Sequence, residues 1–150
     1  MEKVLNISIV VYEKMLDTFF SLLDVLSNER LVNKIFVIDN SKHAHKELQL
    51  LSVEYIFNDG KNLGYGKAHN IALHKTITSG VPFHLVLNPD VMFDVDVLPR
   101  LIAKMLSDSS IGLLMPKVVS PDGQTQYLCK LLPTPFDLLS RRFLPKRYVR

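Results

Sequence analysis

Apolar positions along the chain fall into alternating strand-like and helix-like runs, and that alternation predicts the architecture. Val4 to Tyr12 is β-branched and apolar through Ile7, Ile9, Val10 and Val11, the pattern of a strand buried on both faces. Leu16, Phe19, Phe20, Leu23 and Leu26 then recur at helical spacing, which predicts an amphipathic helix packed on that strand's sheet. Lys34 to Ile38 reads as a second buried strand closing on Asp39-Asn40-Ser41. Lys46 to Leu51 reads as a short helix, and Val53 to Phe57 as a third strand broken by Asn58-Asp59-Gly60. A helix is expected over Gly66 to Thr78, with Ala68, Ile71, Ala72 and Lys75, and a fourth strand over Phe83 to Leu87. The next helix carries Leu98, Leu101, Ile102, Met105 and Leu106 and accepts Pro99 in its first turn. Ile111 to Met115 is expected as a fifth strand, and Pro121-Asp122-Gly123 as a turn joining Val118-Val119 to Thr125-Gln126-Tyr127.

Strands alternating with helices imply βαβ units with right-handed crossovers. The expected fold is therefore α/β: an open, mostly parallel, Rossmann-like sheet with helices on both faces, occupying residues 1–128. Residues 129–150, with Pro133, Pro135 and Pro145 and a basic end, read as a connector or tail.

Composition narrows the class without changing that picture. At 150 residues, 47% hydrophobic and 22% charged, the chain has the make-up of an ordinary globular domain able to hold a core. It shows no internal repeat. The opening apolar runs are short and broken by Asn6, Glu13 and Asp17, so neither a signal peptide nor a spanning helix is expected, and the cytoplasm is the default location. The lone Cys129 has no partner at zinc-binding spacing and reads as a small hydrophobe in a reducing compartment. The net charge of +3 is a property of the tail, where Lys130, Arg141, Arg142, Lys146, Arg147 and Arg150 outnumber Asp122 and Asp137. A uniformly basic nucleic-acid surface is thereby disfavoured. The tail reads as a solvated linker, with a peripheral contact on anionic lipid as the alternative.

Candidate chemistry sits where strands end. Asn88-Pro89-Asp90 follows the fourth strand directly, and Asp39 follows the second. Strands of a parallel sheet point the same way, so both carboxylates are expected on the carboxyl rim where open α/β sheets bind ligands. The segment Asn62-Leu63-Gly64-Tyr65-Gly66-Lys67-Ala68-His69-Asn70 adds a glycine turn opening into a helix, a setting suited to phosphate or sugar. A nucleoside diphosphate needs its base held, its ribose hydrogen-bonded and its phosphates neutralised, commonly through a hard divalent cation on a carboxylate. The competing reading makes each aspartate a cap for the element after it. Gly64-x-Gly66-x-x-His69 is no dinucleotide fingerprint, because His69 replaces the third glycine and the segment follows the third strand rather than the first. Gly60-Lys61 lacks the earlier glycine and the hydroxyl residue of a P-loop. His43 and His45 are expected in solvent on a loop, whereas His69 is open to either a substrate contact or helix packing. No Ser/His/Asp or Cys/His set follows from spacing.

Taken together, Ile9-Val10-Val11-Tyr12, Val37-Ile38-Asp39-Asn40-Ser41, Asn62 to Asn70 and Leu87-Asn88-Pro89-Asp90-Val91 resemble family 2 glycosyltransferases of the GT-A fold. Within that family the chain looks closest to bacterial rhamnosyltransferase-like enzymes of surface polysaccharide synthesis. The resemblance implies a nucleotide-sugar donor such as dTDP-rhamnose, a glycan or lipid-linked acceptor, and inverting transfer at the inner face of the membrane. It implies that Asp39 holds the pyrimidine base and that Tyr12, Asn62, Gly64 and Asn70 shape the donor pocket. Asn88 and Asp90 then match the acidic metal motif, Asp90 being its last residue, expected on Mg²⁺ or Mn²⁺. Asn88 stands where the family's first aspartate would be. The resemblance places the general base and the acceptor surface in a further half. The chain is thus expected to be a glycosyltransferase or its donor-binding half, or else a catalytically inactive donor-binding or interaction module that needs a partner chain, or self-association, for the acceptor half.

Overall fold

The computed structural model describes residues 3–15, 17–94 and 96–126. Four strands, β1 (Leu5–Val11), β2 (Val32–Asp39), β3 (Glu54–Phe57) and β4 (Phe83–Leu87), pair in the order β3-β2-β1-β4, every pair parallel. Helices α1 (Asp17–Ser27), α2 (Tyr65–Ser79) and α3 (Val97–Leu106) alternate with them, and a 3-10 turn, Lys46–Leu50, precedes β3. The α/β class and the parallel, Rossmann-like sheet agree with the expectation.

β1 lies between β2 and β4, and its residues point alternately to two different layers. Leu5, Ile7, Ile9 and Val11 join Phe19, Leu22, Leu23 and Leu26 of α1 and Leu98 and Ile102 of α3 in the main core. On the opposite face, Val10 packs with Phe36, Ile38 and Ile56 against Ala68, Ala72 and Ile71 of α2. Alanines at both closest positions let the helix backbone approach the sheet. Helices thus cover both faces.

Within α1 the buried stripe runs through Leu22 rather than Phe20, which is exposed, and Leu106 at the end of α3 also faces solvent. Pro99 sits in the first turn of α3, where a missing N–H costs no helical hydrogen bond.

The expected fifth strand over residues 111–115 is not a strand. It forms no ladder with any described residue, Gly112 interrupts it, and Leu113 is 90% exposed. An apolar run becomes a strand only where a partner takes its backbone hydrogen bonds. The first compact unit closes at Gly112, and a second begins at Leu113. In that second unit β5 (Val118–Val119) and β6 (Thr125–Gln126) form an antiparallel hairpin about Pro121-Asp122-Gly123, with Gly123 at φ 81°. Leu16, Tyr127, Cys129, the expected domain boundary at 128/129 and the basic tail lie outside the described residues.

Phe19 is wholly enclosed in the main core. Phe19→Ala is expected to cost about 3–5 kcal/mol in urea unfolding. Ile77→Ser, at a position 74% exposed, is expected to stay within about 0.5 kcal/mol of the parent.

Candidate functional site

The strand order makes β1 a switch point: the chain proceeds from β1 to β2 and β3 on one side, then returns to β4 on the other. Crossovers leaving in opposite directions open a crevice at the carboxyl ends of β1 and β4. A cleft of about 340 Å³ lies there. Tyr12, Lys14 and Met15 line it after β1, Asn88, Pro89 and Asp90 after β4, and Tyr65 from the start of α2. Tyr65 donates its hydroxyl to Asn88 Oδ1 at 2.8 Å, and its pKa is raised by burial and by the negative charge of Asp90. Asp90 is exposed and makes no hydrogen bond or ion pair among the described residues. A second hollow, of about 400 Å³, lies near the opposite end of the sheet. There Glu54 pairs with two lysines, Lys34 at 2.8 Å and Lys75 at 2.9 Å.

The glycine turn meets the rim from the other side. Gly64 has φ 75° and ψ 166°, a conformation essentially closed to residues with a Cβ. Its N–H donates to Asn62 Oδ1 at 2.8 Å, and its carbonyl accepts from Asn40 Nδ2 at 3.4 Å and from the Ala68 N–H at 3.2 Å. No side chain caps α2, so its first N–H groups stay available where the helix dipole favours an anion. Asn40 ties the 62–66 turn to the loop after β2, and Tyr65 ties it to the loop after β4. The three segments singled out in the sequence therefore converge on one rim. Asn70 is exposed on α2, about 200° around the axis from Ala68 and Ala72, and does not line the cleft.

Asp39 is on that rim but completely buried. Its Oδ1 accepts from the Ser41 N–H at 2.8 Å. Its Oδ2 accepts from the Tyr55 hydroxyl at 2.6 Å, from His45 Nδ1 at 2.9 Å and from the His45 N–H at 3.2 Å. Burial alone would raise its pKa, but these donors outweigh burial and hold it at about 2. His45 is no solvent-facing loop histidine. Its Nδ1 faces the Asp39 carboxylate and its Nε2 faces the Glu13 carbonyl at 2.8 Å. Both partners only accept, so the ring carries two protons, and its pKa is raised against the opposing effect of burial. Glu13, in the left-handed region at φ 55°, is fixed by that contact and by its own N–H donating to Ser41 Oγ at 2.7 Å. His43 is exposed, as expected.

Behind the cleft lies a polar network that periodicity did not single out. Asn6 and Ser8 are buried on the α2 side of β1. Ser8 Oγ lies 2.7 Å from His69 Nδ1 and 2.8 Å from His84 Nε2, while Thr76 Oγ1 lies 2.7 Å from His84 Nδ1. Burial lowers the pKa of both histidines to about 4, His84 further disfavouring the charged form of His69. The available signal was polar residues at every second position of a strand whose other face is wholly apolar. Lys14, unmarked in the sequence, reaches the rim simply by following β1.

Among the described residues no group of three or more His, Cys, Asp or Glu side chains is placed to cage a metal ion. The donors at the rim are nonetheless oxygens, with one unengaged carboxylate. That set fits the way Mg²⁺ is held, by one or two carboxylates together with a ligand's phosphates. No family model matches the sequence, and no curated protein matches it significantly. Among the described residues no helix is long and apolar enough to cross a membrane.

The titrating groups set the pH profile. His45, with its folded pKa above the unfolded value near 6.5, contributes stability below pH 6.5 that is lost as pH rises through the folded pKa. His69 and His84, folded at about 4, contribute stability above pH 6.5 that is lost as pH falls toward 4. Asp39 adds a further loss between about pH 3.8 and 2. Urea unfolding across pH is therefore expected to peak near 6.5, and His45→Gln to flatten the alkaline limb. Tyr55→Phe, removing a donor to a buried charge, is expected to cost about 1.5–3 kcal/mol at neutral pH.

Proposed function

We propose that the chain binds a nucleoside diphosphate sugar in the cleft between β1 and β4, in the manner of a family 2 glycosyltransferase of the GT-A fold. The donor class is a pyrimidine one such as dTDP-rhamnose, and the acceptor a glycan or lipid-linked sugar. The observation that carries this reading is the convergence, at the sheet's switch point, of an exposed carboxylate with no partner among the described residues, a lysine and an uncapped helix N-terminus.

Those groups divide the work by chemistry. The free N–H groups of α2 and the Lys14 ammonium suit the diphosphate oxygens. Asp90 suits the divalent cation, Mg²⁺ or Mn²⁺, whose charge when bound neutralises the diphosphate and favours its departure from the sugar. Tyr12, 56% exposed at the cleft, offers an aromatic face to the base or sugar. Asn62 and Gly64 hold the turn in shape. Asp39 contributes through the loop it anchors. A direct bond to a pyrimidine would require the buried carboxylate to be uncovered. Donor binding, rather than the transfer step, is what these residues account for.

Melting curves test the reading. Thymidine or uridine diphosphate at about 100 times its dissociation constant, with Mg²⁺ or Mn²⁺, is expected to stabilise the fold by about 2.7 kcal/mol. Asp90→Ala should remove most of the metal-dependent part of that shift. A shift left intact in the variant would discharge Asp90 from the role, and no shift with either nucleotide would overturn the reading.

A further inference from the structure

The network behind the cleft can run in two senses: with Thr76 donating to His84, His69 Nε2 ends protonated, and with Thr76 donating to the Ala72 carbonyl it ends bare. The second sense is the one that keeps every hydrogen bond of the network, since the Ala72 carbonyl, 3.0 Å from Thr76 Oγ1, can only accept. Thr76 Oγ1 then accepts from the Asn6 amide at 3.1 Å and from His84 at 2.7 Å, which puts a proton on His84 Nδ1. The neutral His84 ring has a bare Nε2, so Ser8 donates its hydroxyl proton there. With that proton used, Ser8 Oγ accepts from His69 Nδ1. His69, neutral in turn, is left with an unprotonated Nε2. That nitrogen is buried and has no hydrogen-bond partner among the described residues. Buried acceptors without partners are rare and destabilising, and a native example calls for a function.

Tyr65 connects this nitrogen's ring to the cleft. The two rings pack edge to face with centroids 4.3 Å apart, one helical turn apart on α2. Tyr65 is 53% exposed, lines the cleft, and its hydroxyl makes a single hydrogen bond, to Asn88. An aromatic side chain this exposed and this lightly tethered can turn aside.

The geometry points to His69 Nε2 as an acceptor subsite of the cleft: a ligand that takes Asn88 from Tyr65 and turns the ring aside donates a hydroxyl hydrogen bond to the bare nitrogen. This inference rests on the nucleotide-sugar reading and adds to it a residue and a polarity. A neutral ring presenting a lone pair repels phosphate oxygens and offers no charge to a metal-bound diphosphate, so the group it selects is a hydroxyl of the sugar or ribose. Ser8 and His84 are positioning residues, since they act by fixing the tautomer.

The test uses the full chain with ¹⁵N-labelled histidine, observed by NMR at neutral pH. Without ligand, His69 is expected to show a protonated Nδ1 and a pyridine-type Nε2. A proton on Nε2 would overturn the inference before any ligand is added. On addition of dTDP-rhamnose with Mg²⁺, the Nε2 resonance is expected to move in the direction of hydrogen bonding. In His69→Asn, whose amide can still donate to Ser8 Oγ, affinity is expected to fall about tenfold. A nucleotide sugar that stabilises the protein but leaves Nε2 unmoved and binds His69→Asn equally would overturn this subsite and leave the nucleotide reading standing. Failure of dTDP-rhamnose and UDP-glucose alike to stabilise the protein would overturn both.

Discussion

Parallel pairing of β1 with β2 on one side and β4 on the other is the constraint from which the rest of the molecule follows. A strand in that position must satisfy its backbone on both edges and its side chains on both faces. It also fixes direction: every strand of the sheet delivers its carboxyl end to the same rim. The residues after β1, β2 and β4 therefore meet without any of them being near another in sequence. Because β4 joins on the far side of β1 from β2, the rim has a gap between the two exits rather than a continuous row of loops. The cleft is the geometric consequence of strand order, and its chemistry follows from what stands at those exits.

The rim divides into a rigid part and an available part. After β2, Asp39, His45, Tyr55, Ser41 and Glu13 bond to one another so fully that the carboxylate is sealed from water. After β4, Asp90 and Asn88 are exposed, and among the described residues the one tie there is the Tyr65 hydroxyl on Asn88. A place on the same rim has produced opposite environments for two aspartates, Asp39 closing β2 and Asp90 lying three residues past the end of β4. The difference comes from neighbours: the loop after β2 supplies donors from its own backbone and from β3, while among the described residues no donor bonds Asp90. A buried, fully bonded carboxylate suits support, and an exposed, unbonded one suits ligand.

Much of this was legible in the sequence, and the limits have physical causes. The β-branched runs of β1 and β2 marked those strands because burial on two faces leaves little room for polar residues, while β4, only partly buried, was marked by its apolar run. The position of Asp90 after a strand was equally plain. The run 111–115 misled because periodicity reports apolarity and is blind to whether a partner edge exists. His45 misled because only the folded course of the loop turns it back onto Asp39, six residues earlier. Asn6 and Ser8 were obscured by the strong apolar face they share a strand with. Their meaning depends on His69, Thr76 and His84, which arrive from two other elements.

The backbone at Gly64 has a consequence for how anything binds to this rim. Its N–H is engaged by Asn62 and its carbonyl by Asn40 and Ala68, so the peptide entering α2 is clamped from both directions before a ligand arrives. A guest meeting the open end of that helix has no loop to immobilise there, and the entropy otherwise surrendered on association has already been given up in folding. Recognition at this corner is thereby nearer to lock-and-key than to induced fit, and whatever adaptability the cleft possesses is left to the side chain of Tyr65.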